Sequence, residues 1–268
     1  MRVHLPFLLL GSVPAWLAGC QGGADPADGA GPVEPVAVAP PAAAPAAAPA
    51  AVPAVDTDAA ERHCTLVLLK TGPRREPLSD SERSQIFGGH FGNMQRLARE
   101  GHLLVAGPYG KEKSDAALRG LFVLDTVDPE RARQLAETDP GFKAGVFTFD
   151  YHMMATAAPL RAFLAAELAA QDDAARGGRT QAPGDRLRSY VLLTADDGAA
   201  AAAALAGVPA VLWFARLDST RAFVLLDAPD VEAARALLAP VVRALGAHHL
   251  DQWSASSGLV DLPKLARS

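Results

Sequence analysis

The sequence has few cysteines, few aromatic residues and no excess of positive charge. Its 268 residues include only 2 cysteines, 6% are aromatic, and the formal net charge is −5. Such an acidic balance, without a clustered basic surface, does not favour binding to nucleic acid. After the N-terminal segment, no apolar run is long and uninterrupted enough for a transmembrane helix. We therefore expect no nucleic-acid partner and no membrane-spanning helix.

The N-terminal segment has the pattern of an export signal. Arg2 and His4 precede an apolar run that is too short to span a bilayer and ends in LAGC. This ending is similar to the lipobox of bacterial lipoproteins, which implies cleavage before Cys20 and lipid on that cysteine. The alternative is a buried apolar segment that happens to end in cysteine. We predict a signal peptide at residues 1–19 and a lipid-anchored envelope protein; Gln21 favours the outer membrane, facing the periplasm.

Residues 20–60 are predicted to be a disordered tether. They are mostly alanine, proline, glycine and valine, and they include no aromatic residue that could start a core. Alanine alone would favour a helix, but a proline every few residues prevents one. If Cys20 carries lipid, Cys64 has no cysteine partner in the chain. Its position in an apolar run predicts a buried side chain, not a nucleophile.

The rest of the chain contains an internal repeat. RGLFVLDTVDPERARQLAE, from Arg119, matches TRAFVLLDAPDVEAARALLA, from Thr220. Each stretch is an apolar strand, then an Asp/Pro helix start, then a helix with apolar residues at helical spacing. Upstream, HCTLVLLK from His63 matches RSYVLLT from Arg188. The sequence therefore predicts two copies of one unit, the second of which is shorter between its first strand and the later pair.

The first copy has the element order β-α-β-β-α-β, which is the ferredoxin-like arrangement. Ser79 and Glu82 have the spacing of a capping box at the start of a helix over about 80–100. Both helices of such a unit cover the same sheet face, so two units can bury their other faces together. We therefore predict an α+β fold of two ferredoxin-like units packed sheet to sheet, as an intrachain pseudo-dimer that works as a monomer.

The predicted domain boundaries follow from this repeat. The second copy offers an alanine-rich helix over 197–206 and a longer helix over 230–246. The boundaries are 61–156 for the first unit, 157–186 for a connecting helix and loop, 187–262 for the degenerate second unit, and 263–268 for a tail.

Several short motifs in the first copy occur in a specific order. They are His90, Met94, Leu97 and Gly101, then VAGP at 105–108, RGLFVL at 119–124, Asp139-Pro140 and AGVF at 144–147. In order and spacing they resemble the YCII-related family, over nearly all of residues 63–153. The resemblance implies a fold of the dimeric α/β-barrel type, in which members pair as homodimers. The second copy fits this fold but shows no counterpart of His90 or of the Asp-Pro pair.

The resemblance implies a catalytic dyad of His90 and Asp139. A few relatives process chlorinated or hydroxylated aromatic compounds by proton transfer, without a metal. The residues agree in part, because His90 lies on the apolar face of its helix, where a carboxylate partner would fix its tautomer. Asp139 is expected at the C-terminal end of a helix, where its charge opposes the macrodipole, and this favours a role outside helix stability.

Two functions remain open on the sequence. One is a metal-independent, cofactor-free lyase or isomerase-like enzyme in which His90 moves a proton and Asp139 orients it. The other is a non-catalytic envelope binding or scaffold module in which His90 is a core residue. Either would have an unidentified small-molecule ligand, with a pocket expected to be lined by Met94, Gly107, Pro108 and Tyr109.

Other constellations are weaker. His248 and His249 precede Asp251, but adjacent strand residues point to opposite faces and do not chelate one ion easily. The remaining histidines, including His152, show no ligand spacing, so no metal site is expected. The sequence has no glycine-rich phosphate loop after a strand and no nucleophile elbow.

Overall fold

The computed structural model describes residues 61–178 and 186–266. The predicted signal peptide, Cys20, the tether and residues 179–185 of the predicted connecting loop lie outside the described residues. The first half contains the strands β1 (Arg62–Thr71), β2 (Leu103–Pro108), β3 (Leu118–Leu124) and β4 (Phe147–Thr156). Its helices are α1 (Asp80–Arg99), α2 (Pro129–Ala136) and α3 (Pro140–Lys143).

The second half repeats this order after a connecting helix, α4 (Leu160–Arg176). Its strands are β5 (Leu187–Ala195), β6 (Val211–Leu217), β7 (Arg221–Leu226) and β8 (His248–Ser256). Its helices are α5 (Gly198–Leu205), α6 (Val231–Leu238) and α7 (Val242–Leu245), followed by a 3₁₀ helix (Ser257–Asp261) and α8 (Leu262–Leu265). The difference in length between the halves lies mainly in α5, which is 8 residues long where α1 has 20.

The first two helix starts are those that the sequence predicts. Ser79 caps α1, and its backbone N–H donates to Glu82 Oε2 over 2.9 Å, which completes the capping box. Asp128 caps α2 with Pro129 as the first helical residue. The helix predicted over 230–246 is instead divided into α6 and α7. Pro240 lies between them and cannot donate the backbone hydrogen bond that a continuous helix needs at that point.

The eight strands of the described residues lie in one antiparallel sheet. Its order is β2-β3-β1-β4-β6-β7-β5-β8, so each half contributes four strands in the same relative order. The halves are joined where β4 pairs with β6, from Met154 opposite Leu217 to Thr156 opposite Ala215. We expected two sheets packed face to face, but the strands of both halves are continuous. Pairing of β4 with β6 satisfies backbone groups that two separate sheets would leave at their edges.

The two outer strands of this sheet also approach each other, so that it is nearly closed. Tyr109, directly after β2, forms a bridge with Trp253 of β8. The Gly110 N–H donates to the Gln252 carbonyl over 2.7 Å, and the Gln252 N–H donates to the Glu112 carbonyl over 2.7 Å. The result is an eight-stranded barrel-like sheet with helices on its outside.

The interior of this sheet forms the core that both halves share. Trp213 and Trp253, which are 2% and 0% exposed, lie in this core. Trp213 Nε1 donates to Thr156 Oγ1 over 2.9 Å and so connects β6 to β4 across the join. No helix in the described part of the chain is long and apolar enough to cross a membrane.

Candidate functional site

His90 lies on the inner side of α1, against the outer face of the sheet. Its side chain is 0% exposed. The imidazole stacks on Phe122, with 6.0 Å between ring centroids, and lies 5.3 Å from the rings of both Phe91 and Phe147. The apolar spacing on α1 therefore predicted the direction of the side chain correctly.

Asp139 is the N-cap of α3 and the hydrogen-bond partner of His90. Its Oδ1 accepts from the Gly141 N–H over 2.7 Å, and its Oδ2 lies 2.6 Å from His90 Nδ1. The expectation that Asp139 ends a helix is wrong. The helix α2 ends at Ala136, and the Asp-Pro pair starts a new helical turn with Pro140 as its first residue. Capping by Asp139 therefore favours α3.

The pair holds α1 against α3. The Asp139 side chain is 0% exposed, as is that of His90. The helices approach closely here, because a Cβ placed on Gly89 would lie 2.9 Å from the Pro140 ring. Neither His90 nor Asp139 lines any of the three cavities described below. The geometry of a proton-transfer dyad is present, but it is enclosed by protein on all sides.

The cavities lie elsewhere. A surface groove of about 550 Å³ runs between residues 112–114, α6 and β8. A space of about 10 Å³ lies beside Cys64. A third cavity, of about 280 Å³, lies at one mouth of the barrel-like sheet, a place where such folds commonly bind ligands. We call it the barrel-mouth cavity.

The barrel-mouth cavity has an apolar floor and polar walls. The apolar residues are Leu66, Leu68, Leu118, Leu217 and Phe223. The polar residues are Lys70, Tyr109, Ser114, Asp115, His152, Thr194, Arg221, His249 and Asp251. These side chains come from seven of the eight strands and from the segment that follows β2.

Two cations of the cavity are held by carboxylates. Lys70 Nζ lies 2.9 Å from Asp150 Oδ2 and 3.3 Å from Asp115 Oδ2. The hydrogen bond to Asp150 is the main reason why the pKa of Lys70 is raised. Arg221 donates to Asp218 Oδ2 over 2.6 Å.

His152 shares the same carboxylate. Its Nδ1 lies 2.9 Å from Asp218 Oδ2. Burial alone would raise the pKa of Asp218, but hydrogen bonds from Arg221 and His152 hold it below its usual range. Asp218 and Ser219 lie in the turn from β6 to β7 and have φ angles of 49° and 71°, in the left-handed region. The turn directs the Asp218 carboxylate back onto β4, where Oδ1 accepts from the Met153 N–H over 3.1 Å.

Asp251 and Tyr109 form the opposite wall of the cavity. Asp251 is 5% exposed, and its Oδ1 accepts from the Ser114 N–H. Burial, and then the nearby Asp251 carboxylate, raise the pKa of the Tyr109 phenol, which therefore stays protonated at neutral pH. In the strand order, β8 lies four positions from β4, so Asp251 and His152 occupy opposite sides of the barrel.

The predicted dyad and the barrel-mouth cavity lie on opposite faces of the sheet. Phe122, which stacks on His90, is paired with Val67 of β1, whereas Leu66 and Leu68 line the cavity. Successive strand residues point to opposite faces. Tyr109 is therefore separated from His90, although the sequence predicted them in one pocket.

The other predicted pocket residues line none of the three cavities. Met94 is 0% exposed and packs in the core. Pro108 is buried at the end of β2. Gly107 lies against the indole of Trp253, where a Cβ would come within 2.8 Å of ring atoms. In this position Gly107 allows β2 and β8 to approach.

The sequence patterns do not bring His152, Arg221 and Asp251 together as one site. The histidines show no metal-ligand spacing, and the three residues are far apart along the chain. Strand alternation assigns each of them to one of two faces. Which face is the interior becomes known only when the join between β4 and β6 is known. A polar residue at an otherwise apolar position, as Asp251 in β8, was the available signal.

The structure also bears on Cys64 and on metal binding. Cys64 is 3% exposed, and burial raises the pKa of its thiol to about 12, which agrees with an unreactive core side chain. Among the described residues, no group of three or more His, Cys, Asp and Glu side chains is arranged to hold a metal ion.

The comparisons with known proteins concern the first half. No curated protein and no solved structure matches the chain. A family model described as the YCII-related domain matches residues 65–150, from β1 into β4. This range includes α1, α3 and the buried His90–Asp139 pair. The chain is therefore similar to the YCII-related domain over residues 65–150.

Proposed function

We propose that this protein is a non-catalytic binding module of YCII-like fold, displayed in the bacterial envelope by a lipid anchor. The observation that carries the proposal is the position of the two sites. His90 and Asp139 are both 0% exposed, whereas the barrel-mouth cavity of about 280 Å³ lies on the other face of the sheet. A small molecule can reach polar and apolar groups together in that cavity. The His90–Asp139 pair then serves as a clamp between α1 and α3.

The variant His90→Ala tests the clamp. We expect the free energy of unfolding to fall by about 3–5 kcal/mol, because removal of the imidazole leaves the Asp139 carboxylate buried without its hydrogen-bond partner. Urea unfolding followed by tryptophan fluorescence measures this change. Gln85→Ala, on the exposed side of the same helix, is the matched control and should change stability by no more than about 0.5 kcal/mol.

The 2.6 Å contact between His90 and Asp139 favours a second candidate. This is a metal-independent lyase or isomerase-like enzyme in which Asp139 orients His90 for proton transfer. It requires α1 or α3 to move so that a substrate reaches the imidazole. If His90→Ala unfolds at the same urea concentration as the control, the clamp is rejected and the enzyme becomes the better proposal.

The two halves form an internal pseudo-dimer that acts as a monomer. The proposal is supported by the identical strand order of the halves and by their pairing through β4 and β6. In this arrangement the second half occupies the place that a partner subunit takes in homodimers of the family. The second half has kept the packing role of that subunit, and its helix α5 carries no counterpart of His90.

Cys20 attaches the protein to the outer membrane, facing the periplasm, and residues 20–60 are the spacer. We expect labelled palmitate to be incorporated into the full chain and lost in Cys20→Ala, which should leave the membrane fraction. Cys64→Ala is the control and should keep the label. Membrane retention of Cys20→Ala would contradict the anchor.

A further inference from the structure

The charges around the barrel-mouth cavity are unevenly satisfied. Each cation that lines the cavity already has a carboxylate partner, Lys70 with Asp115 and Asp150, and Arg221 with Asp218. Asp251 lines the same cavity, yet it takes part in no ion pair with any described residue. A cation from outside the protein is the group that would complete this wall.

Burial makes the lack of a cation at Asp251 costly. Asp251 is 5% exposed and accepts one hydrogen bond, from the Ser114 amide. Transfer of a carboxylate out of water is strongly unfavourable unless the charge is paired and hydrogen-bonded. The nearby ammonium of Lys113 donates to the Leu118 carbonyl over 2.8 Å instead of pairing with Asp251.

The sign of the local charge argues against an anionic ligand. The cavity and its surroundings contain three cations, Lys70, Lys113 and Arg221, against four carboxylates, Asp115, Asp150, Asp218 and Asp251. With neutral histidines, the surroundings are therefore negative, and they repel an anion and attract a cation.

The remaining walls favour an organic cation over a metal ion. The floor consists of aliphatic side chains and the ring of Phe223, and the Tyr109 ring lies beside Asp251. An apolar ligand body gains free energy from contact with the floor, and an ammonium group gains from an aromatic face. The volume of about 280 Å³ suits a small molecule.

We propose that the barrel-mouth cavity binds a small amine in its ammonium form, with the charged nitrogen on Asp251 and an apolar body on the Leu66, Leu68 and Phe223 side. This inference rests on the proposed binding function and names the chemical class of the ligand. Arg221 and His152 hold the opposite wall in place through Asp218 and do not contact the charged nitrogen.

Calorimetric titration of the full chain with three probes of the same size tests the proposal. The probes are benzylammonium, benzyl alcohol and benzoate, which share an aromatic body and differ in charge. We expect benzylammonium to bind at least about tenfold more tightly than benzyl alcohol, a gain of about 1.4 kcal/mol, and benzoate to bind more weakly than either. Binding of benzoate in preference to benzylammonium would overturn the amine and leave the binding module standing.

Two substitutions connect the binding to Asp251. Asp251→Asn should weaken benzylammonium binding by at least about tenfold and leave benzyl alcohol binding nearly unchanged. Asp172→Asn is the matched control, because it removes the same charge from a carboxylate that does not line the cavity and is paired with Arg99, and its effect should stay below about threefold. Equal effects of the two variants would overturn the assignment of the charged nitrogen to Asp251.

Leu68→Phe keeps the carboxylate and fills part of the floor, so it tests the site if Asp251→Asn does not fold. It should abolish benzylammonium binding. Binding that survives this substitution would overturn the cavity as the site.

Calcium binding that displaces benzylammonium and depends on Asp251 would assign the carboxylate to an inorganic cation. Failure of all three probes would overturn both the amine and the binding module.

Discussion

At the scale of single residues, two buried carboxylates of this protein differ in how well they are satisfied. Asp139 uses one oxygen for the Gly141 amide and the other for His90, so both of its oxygens have partners inside the protein. Asp251 accepts from one amide and otherwise faces a cavity. A satisfied buried carboxylate stabilises the packing of its neighbours, and an incompletely satisfied one points to a ligand. The resemblance to a family makes Asp139 the candidate functional carboxylate, whereas the geometry favours Asp251.

At the scale of elements, the first helix shows how local sequence chemistry determines a boundary. Glu82 accepts hydrogen bonds from the Ser79 backbone N–H and hydroxyl, and from Arg74. These bonds, the backbone one first, lower the pKa of Glu82 from 4.5 to about 2. The carboxylate therefore stabilises the start of α1 only while it is ionised.

The low pKa of Glu82 predicts a dependence of stability on pH. Because its pKa is lower in the folded state, its contribution is complete above about pH 4.5 and is lost as the pH falls through about 2. Glu82→Gln keeps the capping box but cannot titrate. We expect the urea midpoint of the wild type to exceed that of Glu82→Gln at pH 6 and to approach it between pH 4 and pH 2. A constant difference over this range would contradict the prediction.

The elements themselves were largely predictable from the sequence, because the signals for them are local. Ser79 with Glu82, and Asp128 with Pro129, specify helix starts within one turn of chain. Asp139-Pro140 carries the same kind of signal, but the helix that it starts is only 4 residues long, which is too short to show a helical pattern of apolar residues. The barrel-mouth cavity was not predictable in this way. Its side chains meet only because strands from both halves pair, and that pairing is not local.

At the scale of the whole molecule, the near closure of the sheet depends on the approach of β2 to β8. The Tyr109–Trp253 bridge and the hydrogen bonds of Gly110 and Gln252 hold these strands together. Tyr109 and Asp251 reach the same cavity wall through this approach. Weaker contact between β2 and β8 would therefore lower the stability of the protein and change the shape of the cavity.

Gly107→Ala tests this contact between β2 and β8. A Cβ at residue 107 would collide with the Ser254 carbonyl and come within 2.8 Å of the Trp253 indole, so one strand must shift. We expect the free energy of unfolding to fall by about 1–3 kcal/mol and the near-ultraviolet circular dichroism of the tryptophans to weaken. Gly88→Ala is the control. Gly88 lies on the exposed face of α1, and a Cβ added there would have nothing within 4 Å. It should stabilise the protein by about 0.4–1 kcal/mol, since alanine favours the helix and restricts the unfolded chain. If both variants are stabilised alike, β2 and β8 are not in contact in solution, and the barrel-mouth cavity lacks the wall that carries Asp251.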